Sequence, residues 1–346
     1  MKCRNCKKSQ LKKIVNVGSQ PLSGIFYKSK QKKLKKFPLN LYFCKNCRLV
    51  QLLKTANKNL MFGKFYEYRT SLSNLMVSHL EKKIKYLKDK KYINNFSSVL
   101  DIGSNDGTFL NSLKCDILCG VDPTAYKFKD HYKKNVYIIN NFFSKKNIEN
   151  FFLKRKPNIN SFDLVTSFAM FYDVDDPNSF CKDIYSLLKS NGVWMLELSY
   201  LPLMLKNLTY DQICHEHINY YTLSVFKKIA EKNKLKIVDV GLNEINGGSI
   251  EIVCARVESK IEARHGKIKK LLNDERKINL NSFKNFNKRI NYTKKSIINF
   301  INKNSDKEII GYGASTKGNV VLNHCKINNI QIKKICDGNK KKIGSY

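Results

Sequence analysis

Short, almost uninterrupted apolar runs recur through the middle of the chain, separated by stretches with helical periodicity. Val99, Leu100 and Ile102 form the first run, Ile117 to Val121 the second and Val136 to Ile139 the third. Phe162 to Phe168 and Val193 to Glu197 continue the series. Runs this short predict buried strands. Asp183 to Leu188 predicts a helix stopped by Asn191 and Gly192. Leu235 to Leu242 and Ser249 to Arg256 read as a closing pair, with Gly247 and Gly248 in the turn between them. Leu72, Leu75, Met76, Leu80, Ile84 and Leu87 recur at helical spacing and predict a helix before the first strand. Between Glu258 and Asn304, Ile261, Ile268, Leu271, Leu272, Phe283, Phe286 and Ile290 predict one or two amphipathic helices acting as a packed connector. A second strand, turn and helix follows from Glu308 to Asn319, and Asp337 ends the next strand. Strands alternating with helices and closed by a hairpin predict an α/β sheet.

The turn after the first strand reads Asp101-Ile102-Gly103-Ser104-Asn105-Asp106-Gly107. Gly103 and Gly107 let the backbone approach a ligand where a Cβ would collide. Asp122, at the tip of the second strand, is placed to take both hydroxyls of a ribose. No lysine follows the turn to meet phosphates, so it is not a P-loop. It suits S-adenosylmethionine (SAM), held by Asp101, Gly103, Asn105, Asp106, Gly107 and Asp122. Ser167 lies at a strand end that should line the same cleft. A turn for NAD and a plain strand-to-helix turn are the rival readings. The aromatic segment Phe62 to Ser71 precedes the first strand and reads either as packing or as a cover over the cofactor.

Four of the 11 cysteines form two C-x-x-C pairs, Cys3 with Cys6 and Cys44 with Cys47. Two such knuckles complete a tetrahedral shell of four thiolates around a structural zinc ion, stapling a module with little core of its own. Unrelated cysteines or a redox pair are the alternatives. The odd cysteine count and the absence of an apolar leader at Met1-Lys2-Cys3 point to a cytoplasmic, reducing setting. No apolar stretch has the length of a membrane span. The formal charge of +36 is spread along the chain together with abundant Asn and Ile. We read it as compositional, so nucleic acid is not the expected partner, while an acidic small-molecule nucleotide is.

Two histidines flank a glutamate in Cys214-His215-Glu216-His217, followed by Tyr220 and Tyr221. In extended backbone His215 and His217 would share one face and Glu216 the other. General acid–base chemistry, a metal site and a solvated loop all remain open here. In the late Gly311-Tyr312-Gly313-Ala314-Ser315-Thr316-Lys317-Gly318 loop, backbone amides and Lys317 at a helix start would bind a diphosphate, with NAD also conceivable. Nine residues after Asp337 are too few to complete a doubly wound domain, which suggests a truncated chain or a partner over the open sheet edge.

Taken together, the zinc knuckles, the VLDIGSNDGTFL turn, the HEH-x-x-YY segment, the NGGS turn and the GYGASTKGN loop resemble the sugar C-methyltransferase family that acts on nucleotide-linked 4-keto-deoxysugars. The resemblance spans essentially the whole chain. It implies a class I SAM methyltransferase sheet with a zinc-binding module and a partial C-terminal Rossmann-like domain. The corresponding boundaries are 1–60 for the zinc module, 61–257 for the methyltransferase domain, 258–305 for a helical connector and 306–346 for the C-terminal domain. It also implies SAM as donor and a base that removes a proton alpha to a ketone. Glu216 and His217 match the family's acid–base pair, with Tyr220 and Tyr221 as candidate enolate donors. His215, Gly247, Gly248, Ser249 and Lys317 are candidate substrate contacts. Cys214 stands where deoxysugar members carry tyrosine, and Asp173 where they carry histidine. A polymer methyltransferase and a non-catalytic nucleotide-binding scaffold are the rival functions.

Overall fold

A computed structural model of the chain describes residues 1–29, 33–63, 66–156 and 158–346. In chain order the strands are β1 (Leu11–Pro21), β2 (Lys36–Cys44), β3 (Val50–Leu52), β4 (Ser98–Ile102), β5 (Ile117–Val121), β6 (Val136–Ile139) and β7 (Phe162–Phe168). There follow β8 (Leu188–Ser199), β9 (Asn219–Tyr220), β10 (Leu235–Asn243), β11 (Ser249–Arg256), β12 (Ile310–Tyr312) and β13 (Lys334–Cys336). They divide between two compact units. The first comprises residues 1–67, 200–220 and 276–346, and the second 68–199 and 221–275.

The second unit is built on a seven-stranded sheet in the order β10-β11-β8-β7-β4-β5-β6. β4, β5, β6, β7 and β8 run parallel, while β11 and β10 run antiparallel to their neighbours. This is the class I methyltransferase order, a doubly wound sheet closed by a hairpin. β4 and β5 are buried along their whole length, as expected of strands covered on both faces. Val99, Leu118, Leu164, Met195 and Val253 join one core with Leu80, Ile84 and Leu87 of the helix Asn74–Asp89.

Two expectations need correction here. Leu72 and Leu75 are exposed; Leu72 lies in a single 3-10 turn before the helix, which starts only at Asn74, after the Ser73 cap. The helix expected at Asp183 starts at Pro177, where Asp176 caps it and proline fits the first turn. It ends at Leu187, and Asn191 and Gly192 lie inside β8 rather than stopping a helix. A Cβ on Gly192 would come 2.6 Å from the Phe162 carbonyl oxygen, so this glycine serves close strand packing at a register shift.

The first unit draws on three separate parts of the chain. Its sheet has the order β1-β2-β3-β9, all antiparallel. Val15, Leu39, Leu41 and Val50 of this sheet share a core with Leu201, Met204 and Ile213, and with Phe283, Phe286, Ile290 and Val320 from the C-terminal helices. The connector expected between Glu258 and Asn304 is two helices, His265–Glu275 and Leu280–Lys303. β12 and β13 pair in parallel, with the helix Thr316–Cys325 between them in sequence. No helix among the described residues is long and apolar enough to cross a membrane.

Candidate active site and metal centre

In the second unit the turn after β4 carries the geometry that its glycines foretold. Gly103 and Gly107 have φ of 75° and 76°, and Asn105 between them is also left-handed at 52°. A Cβ on Gly107 would lie 2.6 Å from the Tyr132 ring, so this position has room only for glycine. The Asn105 amide donates to Asp122 Oδ2 at 3.0 Å, while the Thr124 amide and hydroxyl both donate to Oδ1 at 2.6 Å. Burial pushes the Asp122 carboxyl up, against the pull of those donors. Three of its roughly four acceptor positions are thereby used within the chain. An acid at this strand tip, beside a turn that its glycines hold in left-handed backbone, fits the adenosine half of SAM.

The segment before the first helix closes over this turn. Thr70 donates from its amide and hydroxyl to Asn105 Oδ1 at 2.9 and 3.2 Å, and Asn105 Nδ2 donates to the Tyr68 carbonyl at 3.1 Å. The Ser71 hydroxyl donates to Asp106 Oδ2 at 2.6 Å, and Arg69 Nε lies 3.5 Å from the same oxygen. Burial opposes the Asp106 charge, but Ser71, Thr108 and Arg69 together hold its carboxyl below the usual range. The polar half of the aromatic lead-in is therefore bound to the turn; Lys64 and Phe65 of that lead-in lie outside the described residues. Asp101 is turned into the sheet, where it accepts from Thr166 Oγ1 at 2.6 Å, and burial raises it to about 7. Ser167 Oγ accepts from the indole of Trp194 at 2.9 Å. Gly247 and Gly248, with φ of 81° and 119°, shape the β10–β11 turn, and the Ser249 hydroxyl closes it by donating to the Ile245 carbonyl at 2.9 Å.

In the first unit the four cysteine Sγ atoms lie within 4.8 Å of one another. Cys3–Cys47 and Cys6–Cys44 are each 3.5 Å apart, close to the edge of about 3.8 Å expected when four thiolates sit about 2.3 Å from zinc. The two knuckles are built alike. Lys7 donates its amide to the Cys3 carbonyl and Arg48 to the Cys44 carbonyl, both with left-handed backbone. Gln51 ties the knuckles to β3, accepting from the Arg4 amide at 2.9 Å and donating to Cys3 Sγ at 3.1 Å. The donor set and its spacing fit a structural zinc ion.

The same unit gathers three stretches that are distant in sequence. The ideal Cβ position on Gly24 lies 2.8 Å from Glu216 Oε1 and 3.7 Å from Thr316 Oγ1. Glu216 is half-buried, its Oε2 is buried and meets no hydrogen-bond partner among the described residues, and burial raises its carboxyl. His217 is lowered to about 3 by burial first and by the charge of Lys317 second. Lys317 is itself lowered by burial, opposed by Asp211 and Cys214. Asn319 on the same helix donates to the Ser23 carbonyl at 2.9 Å.

Residues 214–216 form bends, and neither they nor 213 and 217 belong to a strand, so the expected alternation of faces does not hold. Glu216 and His217 go to the Thr316–Lys317 turn, whereas His215 packs edge-on to Phe37 and lies 3.4 Å from its carbonyl oxygen. The Tyr220 hydroxyl donates to the Gln212 carbonyl at 3.1 Å. Tyr221 belongs to the second unit, its ring centroid 5.2 Å from that of Phe171. Sequence reasoning passed over Gly24 and Asp211, and in the second unit His79 and Lys83, while it named Thr316 only as part of the late glycine-rich loop. None of the four stands in a spaced motif, and only the glycine hinted at a close approach.

Three family models match the chain in succession. They describe a zinc-binding domain over residues 3–62, a methyltransferase domain over 68–240 and a C-methyltransferase C-terminal domain over 244–346. The C-methyltransferase NovU of Streptomyces niveus is 25% identical over 341 residues, spanning 96% of this chain and 80% of that protein. Among solved structures, magnesium protoporphyrin IX methyltransferase of Synechocystis with bound SAH is 14% identical, over 57% of this chain and 92% of that one, with a TM-score of 0.40. An S-adenosylmethionine-dependent methyltransferase of Clostridium acetobutylicum is 15% identical, over 51% of this chain and 90% of that one, with a TM-score of 0.37.

Proposed function

Because the chain belongs to the S-adenosylmethionine-dependent C-methyltransferase family, we propose that it methylates a carbon alpha to the ketone of a nucleotide-linked keto-deoxysugar, through an enolate. SAM is the methyl donor, and zinc is the structural ion of the N-terminal module. The observation that carries the reading is the convergence of Gly24, Glu216, His217, Thr316 and Lys317 within one unit. It joins an acid–base pair to a cationic helix start suited to a diphosphate.

A neutral, half-buried imidazole can accept a proton, and His217 is the proposed base. The Lys317 ammonium is part of what keeps it neutral. An anionic group bound to Lys317 would screen that like charge and strengthen His217 as a base when the acceptor arrives. Glu216, its carboxyl pushed up by burial, orients the imidazole or meets a sugar oxygen. As His217 takes the alpha proton, the C–H pair becomes the enolate and negative charge gathers on the carbonyl oxygen. The donor, when bound, supplies an electrophilic methyl group. The acceptor carbon forms its C–C bond as the methyl–sulfur bond breaks, and the carbonyl re-forms. What this chain contributes is placement and exclusion of water.

The test is turnover of a panel of nucleoside-diphosphate-linked 4-keto-6-deoxyhexoses with methyl-labelled SAM, read by mass spectrometry and carbon NMR. We expect one panel member to gain the labelled methyl on carbon. No labelled sugar nucleotide from any panel member, with SAM bound, would refute the reading.

A further inference from the structure

The buried polar groups of the second unit mostly close on one another. His79 and Lys83 pair with Glu197, Lys83 also pairs with Glu251, and the Tyr86 hydroxyl donates to Asp239 at 2.8 Å. One chain of hydroxyls ends instead on the turn that fits the methyl donor. Tyr132 is buried, and its ring fills the space that a Cβ on Gly107 would need. Its hydroxyl donates to the Asn105 carbonyl at 2.9 Å and lies 2.8 Å from Ser104 Oγ. A phenol has a single proton to give, so Ser104 is the donor to Tyr132. Burial pushes the Tyr132 phenol up, which keeps that proton in place. A Cβ on Gly120 would come 2.6 Å from Ser104 Oγ, so this glycine of β5 leaves room for the first link.

Asn105 is thereby engaged at every polar group. Its amide donates to Asp122, its side chain bonds Thr70 and Tyr68, and its carbonyl accepts from Tyr132. Its left-handed backbone, with φ of 52°, is a state that surrounding contacts must hold in a residue other than glycine. The peptide joining Asn105 to Asp106 is trans, so its carbonyl and its N–H point opposite ways. With the carbonyl drawn to Tyr132, the Asp106 N–H faces away from that hydroxyl. It meets no acceptor among the described residues, although Asp106 is buried.

We propose that Tyr132 is a positioning residue for the methyl donor: acting through the Asn105 carbonyl, it aims the Asp106 N–H at an oxygen of that molecule. The oxygen belongs to a ribose hydroxyl or to the amino-acid carboxylate, both of which accept from an amide. An amide buried without a partner destabilises the free turn, and a donor oxygen that meets it recovers that cost. No bond is made or broken at Tyr132. The proposal concerns the methyl donor alone, so it stands or falls apart from the sugar reading.

Tyr132→Phe keeps the ring beside Gly107 and deletes the hydroxyl. SAH affinity by calorimetry should fall about tenfold, the scale of one hydrogen bond. Ser104→Ala removes only the first link and leaves Tyr132 on Asn105, so it should bind SAH more tightly than Tyr132→Phe. On any acceptor that the enzyme methylates, Tyr132→Phe should raise KM for SAM and leave kcat near wild type. SAH affinity in Tyr132→Phe within about twofold of wild type, or an equal loss in both variants, would overturn the proposal. The wild-type enzyme gives a second test that needs no variant. In protein labelled with nitrogen-15 aspartate, the Asp106 amide proton should move downfield when SAH binds. The same shift with 5′-methylthioadenosine, which lacks the amino-acid half, would assign the ribose as the acceptor. A shift with SAH alone would assign the carboxylate. An Asp106 amide that moves with neither ligand would overturn the proposal.

Discussion

Glu216 Oε1 lies 2.8 Å from the place a Cβ on Gly24 would occupy. The two residues come from the zinc-bearing module and from the HEH segment, and neither says anything of the other in sequence. The Gly24 backbone is not in the left-handed region, so alanine is tolerated there conformationally. The added methyl must instead push the buried Glu216 carboxyl aside. Gly24→Ala should therefore leave stability within about 1 kcal/mol of wild type. Turnover should fall on the order of 10²-fold, the scale of an ångström's misplacement in a reacting site. Unchanged kcat in a well-folded Gly24→Ala enzyme would mean that Glu216 has no need of its present position.

The paired 3.5 Å sulfur contacts and the matched knuckles predict one zinc ion per chain. Cys44→Ser should remove it, because zinc held by three thiolates and a hydroxyl is a far weaker site. Val50 and Leu52 of β3, next to Cys47, belong to the core of the first unit, so loss of the ion should also lower the melting temperature. Elemental analysis with a thermal melt checks both. Zinc retained at one per chain in Cys44→Ser would contradict the assignment.

Much of this was legible because it is local. The knuckle spacing declares four thiolates, and Val99 to Gly107 declares a strand running into a glycine turn with its left-handed positions. The β10–β11 hairpin is likewise written in Leu235 to Arg256. What escaped depends on distant partners. Asn191 and Gly192 look like a helix stop, yet β8 runs through them because Gly192 lets Phe162 approach. Leu72 and Leu75 fit the helical period but face solvent, since the core takes Leu80, Ile84 and Leu87 instead. The HEH alternation fails because Glu216 and His217 are drawn to one turn near residue 316, a contact across about a hundred residues. His79 and Lys83 read as ordinary polar positions on a helix until β8 and β11 bring two glutamates beneath them.

Lys317 offers a pH test with a definite sign. His217 in the fold is lowered to about 3, from a usual value near 6.5. Between those values the unfolded chain binds the proton and the folded chain does not. The stability contributed is thus complete above about pH 6.5 and is lost as pH falls toward 3. Lys317→Met removes a like charge, so His217 should become easier to protonate. The acid limb of kcat/KM should move to higher pH, while burial still keeps it below that of an exposed histidine. KM for the sugar nucleotide should rise as well, through loss of the diphosphate contact. A limb that stays in place, or moves to lower pH, would show that Lys317 does not act on His217.

The central claim is that His217 takes a proton from carbon, and this step can be read without methyl transfer. With SAM omitted and heavy water as solvent, wild-type enzyme should exchange the alpha proton of a keto-sugar nucleotide that it methylates. His217→Ala should slow that exchange by about 10²–10⁴-fold, the usual cost of losing a general base. SAM affinity measured by calorimetry should be nearly unchanged, because His217 acts on the acceptor. Proton NMR of the alpha position follows the exchange directly. Exchange at the wild-type rate in His217→Ala would place the base elsewhere and contradict the account.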